Sequence, residues 1–471
     1  MSGDRIEVTV FRKSGGSLTK RIALGPDGSI KSDGSQCIMT RGMARRFVFS
    51  AACMRDLGSK IDQFGPDEAL ATGAMRPDLP DTVQVVTKRK LNGGSHPGII
   101  ARNQDFLSFR AGKPAIVLID FDAKGMPPTV AAKLDELGGL WPALASIIPE
   151  LERTARIERA STSAGLYDEQ SGERFPGTGG RHVYPAVKDG ADSERFLKTL
   201  HQRCWLAGLG WLMVGAAGQF LERSIVDRVC GTPERLAFEG RPEVVAPLVQ
   251  DLASRRSIAV DGDPLDTIAA CPPLNSVERA KLEELRAKER YRLARESAKA
   301  REMFVDRQSR RLAEHAGIDL HRARKTIERE CAGVLLPNLE LPFDDPELAG
   351  KTVADVLADP VGFEGETLAD PIEGVEYGAC KARIMRRADG SVWIHSFAHG
   401  RTTYELQLDF ATAKAALEKT AKDEAGAKSK MRGASPQRSA PNKSATAALP
   451  NGETRGRNCR CQRSTLSTLR R

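Results

Sequence analysis

Hydrophobic and polar residues alternate along Arg5-Ile-Glu-Val-Thr-Val-Phe11, the period-two pattern of a half-buried strand. Leu24-Gly-Pro-Asp-Gly-Ser-Ile30 sets turn chemistry between two extended runs and predicts a hairpin. A helical stretch is expected over 41–57, then a Pro/Gly/Asp-rich connection over 65–81 that reads as a boundary. Farther on, Ala115-Ile-Val-Leu-Ile119 predicts a short buried strand, whereas Ser193 to Arg203 has helical spacing. The uncharged stretch from Cys204 to Leu221 contains Gly208, Gly210, Gly215 and Gly218 and falls at the lower edge of the ~17–25 residues of a membrane span. It reads as a buried helix and its turn, with Trp205 and Trp211 as core anchors.

From Ser276 to about 316 runs a series of Glu, Lys, Arg and Ala punctuated by Leu282, Leu285, Leu293, Met303, Phe304 and Leu312. At ~1.5 Å per residue this predicts one charged helix of roughly 60 Å. Acids nearly balance bases along it, so a solvated or bundle-forming helix is expected rather than a DNA-binding one. Ala382 to His395 reads as strand, turn and strand. No internal repeat is visible. The expected organisation is a β-rich module over 1–81, a mixed catalytic unit over 82–260, a charged helical region over 270–330, a small α/β module over 331–418 and a disordered basic tail over 423–471.

With 471 residues, 40% hydrophobic and 28% charged, the chain can build real cores, which excludes wholesale disorder and a fibrous repeat. Length alone favours at least two folding units. The nine cysteines form no C-x-x-C pair, so neither a disulfide framework nor a zinc ribbon is indicated, and a reducing cytoplasm is expected. The opening Met1-Ser-Gly-Asp-Arg-Ile-Glu lacks the apolar stretch of a secretory signal, and no membrane partner is expected. The net charge of +9 suggests a nucleic-acid binder, but its location changes that picture. Lys428 to Arg471 holds eleven bases and one acid, Glu453, while the other residues sum to −1. That tail reads either as solvated chain or as a sequence-independent phosphate-binding arm. A third reading, motivated by the change of composition after Lys422, is the truncated or frame-shifted end of a longer protein.

Three segments carry chemistry. Ile116-Val-Leu-Ile-Asp120-Phe-Asp122 ends a hydrophobic strand with two carboxylates which, by alternation, share one face. Such a pair suits a hard cation, Mg²⁺ or Mn²⁺; an exposed strand end is the bland alternative. Ser161-Thr-Ser163-Ala-Gly165 is followed by Thr178-Gly-Gly-Arg181-His182-Val-Tyr184, where glycines let backbone approach a phosphate and His182 and Arg181 offer donors. A glycine-rich turn entering a strand fits the same residues. Leu221-Glu-Arg223-Ser-Ile-Val-Asp227 ends another hydrophobic run in an acid, and Arg235-Leu-Ala-Phe-Glu239 follows.

The order of a hydrophobic D-x-D, a Gly-Gly-x-His strand and a hydrophobic-Asp segment resembles the archaeo-eukaryotic primase superfamily, in particular the primase-polymerase domains of plasmids, phages and integrative elements. The counterparts are Asp120 and Asp122, His182, and Asp227, over roughly residues 85–245. Gly180 stands where the family has a serine two residues before the histidine; Ser163, separated by an insertion with Gly172 and Gly177, is the matching hydroxyl. The resemblance implies an α+β fold with an antiparallel-rich sheet carrying the acids. It also implies a catalytic, metal-holding set of Asp120, Asp122 and Asp227, with His182 on the phosphates of the incoming nucleotide. Arg181 and Arg235, together with Lys124 and Arg223, are further phosphate-binding candidates. The activity implied is DNA priming or polymerisation on a single-stranded DNA template from nucleoside triphosphates, with Mg²⁺ or Mn²⁺ as cofactor and a helicase as a candidate partner. An inactive nucleic-acid-binding replication protein and a metal-dependent nuclease are the alternatives.

Two segments look functional and are discounted. Ala349-Gly-Lys-Thr352 mimics the end of a nucleotide-binding P-loop, but Asp345 stands where the first glycine is needed, so no ATPase is expected. His395 and His399 would share a helix face, yet the β-formers around them and Gly400 predict strand and turn, and a buried or nucleic-acid-facing patch instead of a metal site.

Overall fold

The alternation over the first residues becomes the strand Arg5–Lys13, central in a six-stranded sheet. The computed structural model describes residues 5–91, 97–398 and 403–407. Across that sheet the order is Leu236–Ala237, Glu68–Ala71, Arg5–Lys13, Gly42–Ser50, Thr82–Val86 and Ile99–Ala101. The hairpin expected after Leu24 is present, Arg21–Leu24 pairing antiparallel with Ile30–Asp33.

The helix expected over 41–57 is a correction. Gly42–Ser50 is a strand in register with Arg5–Lys13 along its whole length, and only Met54–Asp62 is helical. Ala44 and Phe49 are buried in two cores on opposite faces of the sheet, while Met43, Arg45 and Val48 are exposed, so a waiting partner strand and the β-forming Phe-Val-Phe run override a mixed local pattern. The helix begins where the spacing of buried residues changes to Met54, Leu57 and Ile61. The boundary expected at residue 81 runs through this sheet, because Thr82–Val86 pairs with Gly42–Ser50 and Leu236–Ala237 pairs with Glu68–Ala71.

A second, antiparallel sheet has the order Ala115–Ile116, Arg181–Val187, Arg156–Ala160 and Ile258–Val260, with Ile119–Phe121 also paired to Arg181–Val187. Its inner face and that of the first sheet bury one core containing Ile6, Val8, Ile116, Ile119, Leu144, Tyr184, Phe196 and Trp211. The helix Ser193–Leu206 covers it. The continuation expected as helix and turn is a second correction. At Gly208, φ is +73°, which ends the helix, and Gly210–Val214 forms a hairpin with Phe220–Ser224. Trp205 and Trp211 are buried, as expected.

The charged helix spans Ser276–Ala316, 41 residues. An Asn275/Glu278 capping box starts it and Gly317, at φ +63°, stops it. It is bundle-forming: Leu282 and Leu293 pack with Trp205, Leu212 and Leu274, and Phe304 and Val305 with Ala217, Ile327 and Cys331. It thus braces the Gly210–Ser224 hairpin at one end and leads through Leu320–Cys331 into the last module. There a five-stranded sheet runs Val334–Leu335, Thr403–Leu406, Val392–Ser396, Ala382–Arg386 and Thr367–Leu368, including the expected strand pair. Thr352 caps the short helix Val353–Ala358, so the P-loop-like segment is a helix cap.

The described chain is therefore α+β with several sheets. No disulfide joins its seven described cysteines, and no helix among the described residues is long and apolar enough to cross a membrane. His399, Cys459, Cys461 and the basic tail lie outside the described residues.

Glu330 tests the packing of Leu320–Cys331. Burial alone pushes its carboxyl from the ordinary value up to about 7. A raised folded-state pKa means folding is favoured with the proton on, so Glu330 costs stability as pH rises from its unfolded value through about 7. Glu330→Gln is expected to raise stability at pH 8 by on the order of 1–3 kcal/mol and to change it little at pH 4, read by urea denaturation at both values.

Candidate active site

Three neighbouring strands place the central groups. Asp120 on Ile119–Phe121 lies directly across from His182 on Arg181–Val187, and His182 directly across from Arg159 on Arg156–Ala160. Directly paired residues share a face, so carboxylate, imidazole and guanidinium form a row across the sheet. His182 Nε2 stands 3.5 Å from Asp120 Oδ1.

Glu239 sets the orientation of that imidazole. Its side chain has no solvent exposure, and its Oε1 accepts hydrogen bonds from His182 Nδ1 and the Tyr184 hydroxyl, both at 2.5 Å. Its Oε2 faces Arg159 Nε at 2.9 Å and Arg255 at 3.8 Å. Arg159 is anchored in turn by Asp62 and by Ser257 Oγ. Burial opposes charge on His182, but Glu239 and then Asp120 outweigh it and raise its pKa to about 9. Burial likewise opposes charge on Glu239, and His182, Arg159 and Tyr184 overcome it, holding its pKa near 2. The imidazole is therefore a cation at neutral pH, with Nδ1 committed to Glu239 and Nε2 turned toward Asp120.

Asp227 arrives from another direction. The strand Phe220–Ser224 ends before it, because Ser224 Oγ accepts the Val226 N–H at 3.1 Å and turns the chain. The Asp227 backbone N–H then donates to the Asp120 carbonyl at 3.0 Å, tying the two acids together. Asp227 thus lies beyond the strand, after the bend at Ile225 and Val226. Ligand atoms of Asp120, Asp227 and Cys230 lie within 4.8 Å of one another. Burial, and after it the nearby Asp227, raises the Asp120 pKa, although His182 acts against them. Burial pushes the Cys230 thiol far up, so it stays protonated and contributes no anion. Arg235 stands 3.8 Å from Asp227.

These residues open into one cavity of about 1020 Å³. Of the residues singled out in the sequence, Asp120, Asp122, Lys124, His182, Arg223, Asp227 and Arg235 line it. Asp122 lies one residue beyond its strand, exposed at the rim, its Oδ1 accepting the Lys124 N–H at 3.0 Å. Arg181 is exposed and not part of the lining; beside His182 on one strand, it takes the opposite face. Ser163 is buried behind the wall, its Oγ 3.1 Å from Thr178 Oγ1 and 3.2 Å from Ser161 Oγ, while Ser161 and Thr178 reach the cavity. The insertion after Ser163 is a hairpin, Leu166–Asp168 with Arg174–Phe175, which brings these hydroxyls back together. Gly177, at φ +67°, makes that closure: a Cβ there would lie 2.6 Å from the Ser163 carbonyl oxygen.

Sequence reasoning missed Glu239 as the partner of His182, the hydroxyls of Ser161 and Thr178, and Tyr377 and Lys381, which enter the cavity from the C-terminal module. Glu239 was within reach as an acid in the run after Arg235, but no local pattern ties it to a histidine 57 positions earlier.

The Glu239 network gives a direct expectation. Glu239→Ala removes the counter-charge that Arg159, Arg255 and His182 share, leaving Arg159 only Asp62 and His182 only Asp120, so it is expected to cost about 3–5 kcal/mol by denaturant titration. Because its folded pKa is depressed, its contribution is complete above the unfolded value and is lost as pH falls toward about 2. The wild-type minus Glu239→Gln stability difference, measured from pH 6 downward, is expected to shrink below about pH 4.5.

No protein-family model, curated protein or solved structure matches this chain; the chemistry of the cavity is therefore read from its own residues.

Proposed function

We propose that this protein catalyses template-directed, metal-dependent nucleotidyl transfer, as a DNA primase or primase-polymerase acting in the replication of a mobile element. The observation that carries the reading is the meeting of Asp120 and Asp227 beside a cationic His182 in one cavity. All three residues also match the motif order of the archaeo-eukaryotic primases.

The donor set fits a hard divalent cation. Asp120 and Asp227 offer carboxylate oxygens close enough to share an ion, and Asp122 stands at the rim. The protonated Cys230 thiol is a poor ligand for Mg²⁺ or Mn²⁺. The raised pKa of Asp120, due to burial and to Asp227, reflects negative charge that a cation would neutralise. When bound, such an ion supplies Lewis-acid stabilisation of the reacting phosphate and lowers the pKa of an attacking 3′-hydroxyl.

The protein's own groups do the rest. His182, fixed by Glu239 and protonated, offers an N–H to a phosphate oxygen of the incoming nucleotide. Arg235 and Lys124 add positive charge around the acids, and Ser161 and Thr178 offer hydroxyls on the wall beside His182. The attacking hydroxyl would come from a primer end or, in priming, from a first nucleotide, with single-stranded DNA as template.

The test incubates the full chain with single-stranded circular DNA, Mg²⁺ or Mn²⁺ and labelled nucleotides, with and without primer. Asp120→Asn and Asp227→Asn are each expected to lower incorporation by on the order of 10³-fold, the worth of several kcal/mol of lost charge stabilisation. Asp122→Asn is expected to cost less, because its carboxylate is exposed at the rim. Shortening of the DNA in place of extension would identify a nuclease; DNA binding with neither outcome would leave a binding protein.

A further inference from the structure

The cavity has a second wall that the catalytic strands do not supply. Pro342, Phe343, Asp344, Ala369 and the segment from Tyr377 to Lys381 all belong to the C-terminal module and face Asp120, Asp227 and Arg235 across the opening. The module is fastened there. Glu373 accepts hydrogen bonds from the Ala216 N–H at 3.2 Å and from the Gln219 side chain, both on the turn of the Gly210–Ser224 hairpin. Arg223, on that hairpin, donates to the Tyr377 hydroxyl at 3.1 Å, and Tyr377 donates to the Ala398 carbonyl at 3.2 Å.

The backbone bends sharply where it enters the cavity. Cys380 is the one non-glycine residue with positive φ, +55°, among the described residues. Asp344 holds it there, accepting the Cys380 N–H with both carboxylate oxygens at 3.1 Å. Left-handed backbone at a residue with a Cβ is strained and persists where surrounding contacts enforce it. Lys381 follows immediately and lines the cavity.

Burial and the nearby Arg235 disfavour charge on its ammonium, and Asp227 and Asp120 only partly offset them. Among the described residues no hydrogen bond or ion pair engages Lys381 Nζ, and its recorded neighbour is the Tyr377 ring, 5.8 Å from Nζ to the centroid. Nearby, the buried Nε of Arg223 has no acceptor. Asp120 is already opposed by His182, and Asp227 by Arg235. Lys381 thus faces the cavity, beside Arg223, with ammonium donors that no hydrogen bond among the described residues uses, and an anion with several oxygens would engage them.

We propose that Lys381, with Arg223, binds the polyphosphate tail of a nucleoside triphosphate, so that the C-terminal module completes the nucleotide site. This rests on the nucleotidyl-transfer reading for the identity of the ligand. In this arrangement the catalytic strands hold the reacting phosphate beside Asp120 and Asp227, and the module grips the rest of the chain of phosphates from the other side.

Calorimetric titration of the full-length protein with the α,β-imido analogue of dATP, in Mg²⁺, is compared with titration by dAMP. Loss of one charge-assisted contact predicts that Lys381→Met weakens the triphosphate analogue by about 10- to 100-fold, with Lys381→Arg recovering most of the affinity. Binding of dAMP should stay within about twofold, a selectivity that general loosening of the module would not produce. Unchanged analogue affinity in a folded Lys381→Met protein, or no analogue binding by the wild type, overturns the inference. If the wild type binds the analogue through Lys381 yet incorporates no nucleotide, the transferase reading fails and the phosphate site stands. If it extends primers and Lys381→Met leaves the nucleotide KM unchanged, the reverse holds.

Discussion

The site depends on one buried carboxylate. Glu239 has no exposed side-chain surface, yet it is ionised, because His182, Tyr184, Arg159 and Arg255 all converge on its two oxygens. An isolated carboxylate at that depth would take up a proton; three positive partners and a hydroxyl make the charged form the stable one. The partners come from neighbouring parts of the central sheet: Arg159 and His182 from adjacent strands, and Arg255 from the chain that leads into Ile258–Val260. Arg159 is further tied to Asp62 at the end of the helix Met54–Asp62. One acid thus links the N-terminal sheet's helix, the central sheet and the imidazole, and fixes which nitrogen of His182 turns toward Asp120.

The acids of the cavity are held closer than they would choose. Asp227 is tethered to Asp120 by a backbone hydrogen bond, and burial, with the crowding by Asp227 after it, raises the pKa of Asp120. The positive groups around them come from separate parts of the chain: His182 and Arg235 from the central unit and Lys381 from the last module. Mixed charge of this kind, preset by the fold and open to solvent, is what the proposed reaction, in which a cation and a polyphosphate enter together, would draw on. The long helix Ser276–Ala316 has a mechanical part in this. By packing on Trp205 of the helix Ser193–Leu206 and on the hairpin at Leu212 and again at Ala217, it holds the wall to which Glu373 and Tyr377 fasten the last module.

Local pattern specifies the structure where a segment's partner lies close in sequence or where periodicity is strong. The hairpin after Leu24, the strand pair Ala382–Arg386 and Val392–Ser396, and the helix Ser276–Ala316 all follow from turn residues, alternation or capping. Local pattern does not specify it where a distant partner decides the state. Gly42–Ser50 is a strand because Arg5–Lys13 lies beside it, and Gly210–Val214 pairs with Phe220–Ser224 once Gly208 has ended the helix. The same division holds in the cavity. Asp120, His182 and Asp227 stood out as polar groups ending or entering apolar runs, whereas Arg181 was grouped with His182 by adjacency although a strand turns neighbours to opposite faces.

The sequence by itself determined that this chain builds cores, which of its segments are strongly periodic, and that acids sit at the ends of hydrophobic runs. These are properties of neighbouring residues, set by side-chain sterics and by the alternation of burial over a few positions. Only the tertiary structure decided that Asp227 folds back onto Asp120, that Glu239 orients His182, and that Lys381 reaches the same cavity from the far end of the chain. Those pairings depend on strand register and on buried charge finding charge across long separations, and a carboxylate or an ammonium carries no local mark of the partner it will meet.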